Sequence, residues 1–401
     1  MKWCLSLFAA SVLLLSGCAR NVSEPTRDTA STPSPRPLAT SATTTKPAAA
    51  SSVSGSIGPG SSYTIDVPEN WNGDLVLYAH GYTATLFPLG PPPTESPEDL
   101  RRIVLARGCA FAFSTYSQNG YAVKDGALRT QQLGEIFASK FGRPRHTFLL
   151  GYSLGGLVSI KLVEQHPELY SGALTVSGIV GGTETEFTYL GNVWVLFQYF
   201  YPGVVRWGLF DAPPANALSV LTDSVVAAIQ ANPQGALALS QVTQTPVPFA
   251  SGQELVASIV QALVLQSIAL GDLLGRTHGH PFFDNTHTTY TGNLPPELLA
   301  DLNARVIRYA STPDADAFAE REYAPTGALR IPVLTLHDSR DPVVPIIHEP
   351  ILAERVRRAG DSDFLVQRTI DGYGHPVALD EVDRALGDLL TWVDTGVAPT
   401  P

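Results

Sequence analysis

The sequence predicts an α/β fold: a mostly parallel central sheet with helices on both faces. Three observations carry this expectation. From about residue 56, strand-like and helix-like segments alternate along the chain. The strands are nearly continuous apolar runs, as expected of strands buried on both faces. The whole chain of 401 residues is 44% hydrophobic and only 16% charged, which supplies enough apolar material for a large core. A formal net charge of −11 argues against a nucleic-acid partner, which would need a basic face to displace counterions from phosphates.

Residues 1–18, "MKWCLSLFAASVLLLSGC", set Lys2 before a short apolar stretch that ends in Leu15-Ser16-Gly17-Cys18. The run falls short of the roughly 20 residues that cross a bilayer. It resembles a bacterial lipoprotein signal, and the resemblance implies export to the cell envelope, with Cys18 as the lipidated mature N-terminus and the membrane anchor. Residues 19–55 are rich in Ser, Thr, Pro and Ala and nearly empty of large apolar groups, so they read as a disordered tether. With Cys4 in the leader and Cys18 carrying lipid, Cys109 is left without a disulfide partner. It lies in the apolar run "GCAFAFSTY", which fits a buried small hydrophobe.

In order along the domain, "SSYTIDV", "LVLYAHG" and "CAFAFSTY" read as strands, and "GALRTQQLGEIFASKFG" as a helix closed by glycine. "HTFLLG" is a buried strand, followed by a helical "LGGLVSIKLVEQHPEL" that ends near Pro167, and then by the strand "GALTVSG". Ser153 therefore falls on a strand-to-helix turn, between Gly151 and Gly155. A glycine at each flank removes the side chains that would collide when a strand turns sharply into a helix.

At this turn the sequence resembles the α/β-hydrolases, whose nucleophile elbow carries the pattern G-x-S-x-G. Three further segments fall where that family keeps its machinery. "YAHGY", residues 78–82, ends an upstream strand as the family's HG turn does; the resemblance implies that the amides of Tyr82 and Leu154 form an oxyanion hole, with His80 structural. "IPVLTLHDSRDPVVP", residues 331–345, leads from a buried strand into a polar loop. The family's pattern there selects Asp341 as the acid, with Asp338 a lesser candidate that could cap the loop. "DGYGHPV" puts His375 on a glycine-flanked loop after the last strand, where the family places its base. The implied triad is Ser153, Asp341 and His375, with no metal or organic cofactor.

The resemblance divides the domain into a core of residues 56–182 and 327–398 and a large cap, 183–326, inserted after the sixth strand. "ANALSVLTDSVVAAIQ", "GQELVASIVQALVLQSIALGDLLG" and "PPELLADLNARVIRYA" all have helical spacing, so the cap reads as mainly helical. Most of the dense aromatics over residues 189–210 read as packing the cap against the core, and a cap this apolar implies a hydrophobic or aromatic acyl pocket. His278, His280, Asp284 and His287 match no closed zinc motif and read as solvated loop residues. "ERVRRAG", residues 354–360, reads as the solvated face of a helix. The functional expectation is a serine hydrolase acting on a small-molecule carboxylic ester through an acyl-enzyme. The alternative is a serine peptidase in which Glu184 and Glu186 grip a substrate amine, or, further off, a lipid-anchored binding protein that has lost catalysis.

Overall fold

The computed structural model describes residues 50–401. The leader, Cys18 and most of the tether expected from the sequence lie outside the described residues. Eight strands form one sheet: β1 (Ser51–Gly58), β2 (Ser61–Val67), β3 (Leu75–Ala79), β4 (Ala110–Ser114), β5 (Thr147–Tyr152), β6 (Gly172–Val176), β7 (Val333–Arg340) and β8 (Leu365–Tyr373). They lie in the order β1-β2-β4-β3-β5-β6-β7-β8. Strand β2 runs antiparallel to both its neighbours, and every pairing from β4 to β8 is parallel.

Strand β1 begins at Ser51, inside the stretch assigned to a tether by composition. Its "SSVSGSIG" is too poor in large apolar groups to stand out from the preceding low-complexity segment. Antiparallel pairing with β2 supplies the backbone hydrogen bonds that its side chains do not advertise.

The helices are α1 (Pro97–Ala106), α2 (Val123–Phe141), α3 (Leu154–Gln165), α4 (Thr183–Phe200), α5 (Ala217–Ala231), α6 (Pro233–Ser240), α7 (Gly252–Arg276), α8 (Pro296–Arg305), α9 (Pro313–Tyr323), α10 (His348–Ala359) and α11 (Leu379–Thr395). Alternate residues of a strand reach opposite faces of the sheet. In β3, Leu75, Leu77 and Ala79 join one apolar cluster, while Val76 and Tyr78 join the other. Helices α2, α3 and α10 cover the first face, and α1 and α11 cover the second.

Helices α4 to α9 all fall between β6 and β7, and their apolar side chains extend the first cluster without a break. Helix α7 is long and apolar enough to cross a membrane, but most of it is buried here against its own chain. It is tied down at both ends. Near its start, Ser258 Oγ lies 3.1 Å from the Tyr373 hydroxyl. Near its end, Asp272 accepts the Tyr121 amide at 2.6 Å, and Arg276 donates to the Asn119 carbonyl at 3.0 Å. Helix α10 carries the basic "ERVRR" stretch, where Arg357 and Arg358 both pair with Glu354 at 2.8 Å on the exposed side.

The turn from β5 into α3 explains its glycines. A methyl group on Gly155 would lie 1.9 Å from the Ala79 carbonyl oxygen, and one on Gly151 would lie 2.2 Å from the Gly155 carbonyl oxygen. Two backbones meet where no side chain fits. We expect Gly155→Ala to lower the unfolding free energy by about 1–3 kcal/mol through overpacking. Gly134→Ala, in the interior of α2 where the added methyl would meet Leu77 at an ordinary 3.5 Å, should instead raise it by about 0.5–1 kcal/mol. Urea unfolding of the two variants checks both signs.

Candidate active site

Ser153 occupies the junction between β5 and α3 with φ 53° and ψ −119°, a left-handed conformation that costs a serine backbone strain. Three hydrogen bonds hold it there. The Ser153 amide donates to the Val176 carbonyl at 3.0 Å, and its own carbonyl accepts from Gly156 at 2.9 Å and Ile179 at 3.1 Å. The side chain is mostly buried yet borders a cleft of about 1020 Å³, its open mouth included.

His375 borders the same cleft, on the loop between β8 and α11. Its carbonyl is anchored by the Ser177 hydroxyl at 2.7 Å and the Tyr152 hydroxyl at 3.3 Å. Its Nδ1 lies 2.7 Å from Asp341 Oδ2. A carboxylate accepts, so Nδ1 carries the hydrogen and Nε2 is left as the ring's acceptor. No hydrogen bond joins the Ser153 hydroxyl to this ring among the described residues. In serine–histidine pairs that bond often tightens only around substrate.

Asp341 is fully buried just beyond β7. Its second oxygen accepts the amides of Val343 at 2.8 Å and Val344 at 3.0 Å. Burial alone would raise its pKa, but the imidazoles of His375 and His337 outweigh burial and hold the carboxyl down at about 2. His337, also fully buried, stands 3.4 Å from Asp341 and 3.1 Å from Glu349. Burial pulls His337 down, yet Asp341 and Glu349 together push it up to about 10. The result is a line of alternating charge running from the cleft into the protein. Asp338, the lesser candidate, packs beside Gly372 and makes no bond to His375 among the described residues.

His375 itself is lowered by burial, but the Asp341 charge more than offsets this, so its pKa sits above the usual 6.5. His80 is buried and stacked on Tyr116, with its ring 3.8 Å away, and its Nδ1 donates to the Gly81 carbonyl at 2.8 Å. Burial lowers it to about 4, so it stays neutral. The turn after it touches the elbow, because a methyl placed on Gly81 would meet both Ser153 Cβ at 3.0 Å and Glu95. Leu154 is the first residue of α3, where a backbone N–H has no intrahelical acceptor. Neither its amide nor that of Tyr82 donates to another group among the described residues.

Several groups in the cleft are not legible as functional in the sequence. Glu95 borders it and binds the Tyr78 hydroxyl and the Gly81 amide, the latter at 3.0 Å. Burial pushes its carboxyl up to about 7 despite those bonds. Phe87, Tyr121, Phe187, Leu190, Leu265 and Ile268 make the walls apolar. Of the two glutamates singled out after β6, Glu186 borders the cleft, whereas Glu184 faces solvent. In the histidine-containing loop of residues 277–292, Asp284 accepts from Thr286 and Ser311, and no metal-binding group of side chains is found among the described residues. Cys109 is buried, as its apolar run led us to expect, and burial raises its thiol to about 11.

The charge line makes His337 a structural keystone. We expect His337→Leu to lose about 3–5 kcal/mol of stability, since it leaves two buried carboxylates short of a counter-charge. In the wild type this contribution should be complete below pH 6.5 and disappear as pH rises through about 10, because the folded pKa is the raised one. Urea unfolding across that range tests it, and a loss under about 1 kcal/mol would contradict it.

No protein-family model matches the sequence, and no curated protein does. Among solved structures, the chain is similar to an esterase from Aspergillus oryzae (14% identity, 84% of this chain and 78% of that one, TM-score 0.45). It is also similar to an esterase from Pyrococcus furiosus (10% identity, 85% and 90%, TM-score 0.43) and to Candida antarctica lipase A (14% identity, 85% and 75%, TM-score 0.43). Likeness at that level says nothing of activity, which is read below from the residues themselves.

Proposed function

We propose that the protein is a serine hydrolase that cleaves carboxylic esters with an apolar acyl or alcohol part through an acyl-enzyme. The observation that carries this is one cleft bordered by a serine on a strained elbow and by a histidine hydrogen-bonded to a buried carboxylate. In this reading His375 Nε2 takes the Ser153 proton as Oγ attacks the ester carbonyl, and returns it to the departing alcohol. Asp341 holds the ring's tautomer and stabilises the imidazolium that forms. The amides of Tyr82 and Leu154 receive the developing oxyanion. Water then attacks the acyl-enzyme with the same histidine as base. No step calls for a cofactor.

Helices α4 to α9 act as the cap, since Phe187, Leu190, Leu265 and Ile268 from α4 and α7 supply much of the apolar wall. The leader pattern ending at Cys18 supports a lipid-anchored enzyme on the outer side of a bacterial membrane. A peptidase is the second reading, and Glu186 in the cleft is its support. Against it, Glu184 faces solvent, so of the two glutamates only Glu186 reaches the cleft, where a substrate ammonium needs several acceptors.

The test is hydrolysis of para-nitrophenyl esters from acetate to palmitate beside amino-acid and prolyl para-nitroanilides. We expect ester turnover that falls about 10⁴-fold or more in Ser153→Ala. Anilide turnover without ester turnover would favour the peptidase. For the wild type, kcat/KM on esters should fall as pH drops through an apparent pKa above 6.5, because protonated His375 cannot accept the serine proton. Asp341→Asn should lower kcat by roughly 10⁴-fold and move that limb to lower pH. A pH–rate profile of both proteins checks the shift.

A further inference from the structure

Glu186 lies in the first turn of α4, 2% exposed, where it borders the cleft. Its Oε2 accepts a hydrogen bond from His348 Nε2 at 3.0 Å, while His348 Nδ1 accepts the Gly181 amide at 3.0 Å. The second bond fixes the tautomer of the first: a ring whose Nδ1 accepts must carry its hydrogen on Nε2. Burial, reinforced by the positive charge of His337, lowers His348 to about 3, so this ring is neutral. The pair is therefore not an ion pair. Glu186 Oε1 has no hydrogen-bond partner among the described residues, although it is buried.

A brace between α4 and α10 would need only Oε2. An unspent buried oxygen beside a cleft walled largely by apolar side chains, Phe187, Leu190, Leu265 and Ile268 among them, costs free energy unless something in the cleft pairs with it. We infer that Glu186, oriented by His348, is the recognition point of the cleft and donates a hydrogen bond to a neutral acceptor oxygen on an otherwise apolar ester substrate. That oxygen is a carbonyl, ether or hydroxyl apart from the scissile group, and the inference rests on the hydrolase reading above. Burial first, and the neighbouring Asp341 charge second, raise the Glu186 carboxyl well above the ordinary range and favour its acid form. With Oε2 engaged as an acceptor, the acid's hydrogen belongs on Oε1. An ammonium fits less well. It needs several acceptors, and the other carboxyl of the cleft, Glu95, is engaged by Tyr78 and Gly81.

The test compares para-nitrophenyl esters in matched pairs, an alkanoate beside its oxo or ether analogue of equal chain length, with the oxygen moved one position at a time. For the wild type, at least one oxygen position should raise kcat/KM by about 10- to 100-fold over the plain ester. Glu186→Leu should abolish that ratio, and Glu186→Gln, whose amide still donates, should retain part of it. His348→Phe should shrink the ratio by loosening the carboxyl. Far-UV and near-UV circular dichroism of each variant verifies folding, and Glu186→Gln carries the test if Glu186→Leu does not fold. A wild type that turns over plain and oxygenated esters equally at every position overturns the inference and leaves the hydrolase reading intact. So does a preference for an amino analogue in the same panel. Failure to turn over any ester overturns both.

Discussion

Asp341 is a carboxylate with no exposure to water, and a charge in that position survives only when its surroundings replace the lost hydration. Two backbone amides hold one oxygen, and imidazoles flank the carboxyl on two sides. One imidazole, His337, is itself kept charged by Glu349, which also accepts from Thr335 at 2.5 Å and from Gln367 at 2.5 Å. The other, His375, is the ring that reaches the cleft. Its tautomer, basicity and position all depend on a carboxylate that the fold must stabilise deep in its interior. The network draws on β7, α10 and β8, so the sheet has to be assembled before the site can exist.

A second constraint works on the side of Ser153. The carbonyl end of β3 and the first turn of α3 approach so closely that only glycine fits between them, and this contact sets the HG turn beside Ser153. The strain of the serine backbone is offset by bonds to Val176, Gly156 and Ile179. Helix α7, fastened near Tyr373 at one end and near Tyr121 at the other, then closes the space above. The cleft is thereby largely apolar in its walls, with Ser153, His375, Glu95 and Glu186 among the polar side chains that border it.

How much of this could be read from the sequence follows from where the information lies. The elbow was legible because close backbone approach leaves a local trace, glycine on each side of Ser153. Asp341 and His375 stood out because each falls on a loop directly after a strand, where the resembled family keeps its acid and its base. His337 was not, since a lone histidine at the end of an apolar strand looks like any core residue until Asp341 and Glu349 surround it. Glu95 and His348 were hidden for the same reason: their partners, Gly81 and Glu186, come from other elements. The strand at Ser51 escaped notice because serine and glycine alternate there without apolar contrast, and its stability comes from pairing with β2. The helices between β6 and β7 announced themselves by apolar spacing, but nothing local told which of their side chains would face Ser153.

The most direct measurement is labelling of the folded protein with a fluorophosphonate, followed by peptide mapping by mass spectrometry. An activated serine beside a histidine base reacts with such a reagent, whereas an ordinary serine does not. The account predicts a single adduct on the peptide that contains Ser153, absent in Ser153→Ala and strongly slowed in His375→Ala. Folded wild-type protein that takes up no label, or takes it up on another residue, would contradict it.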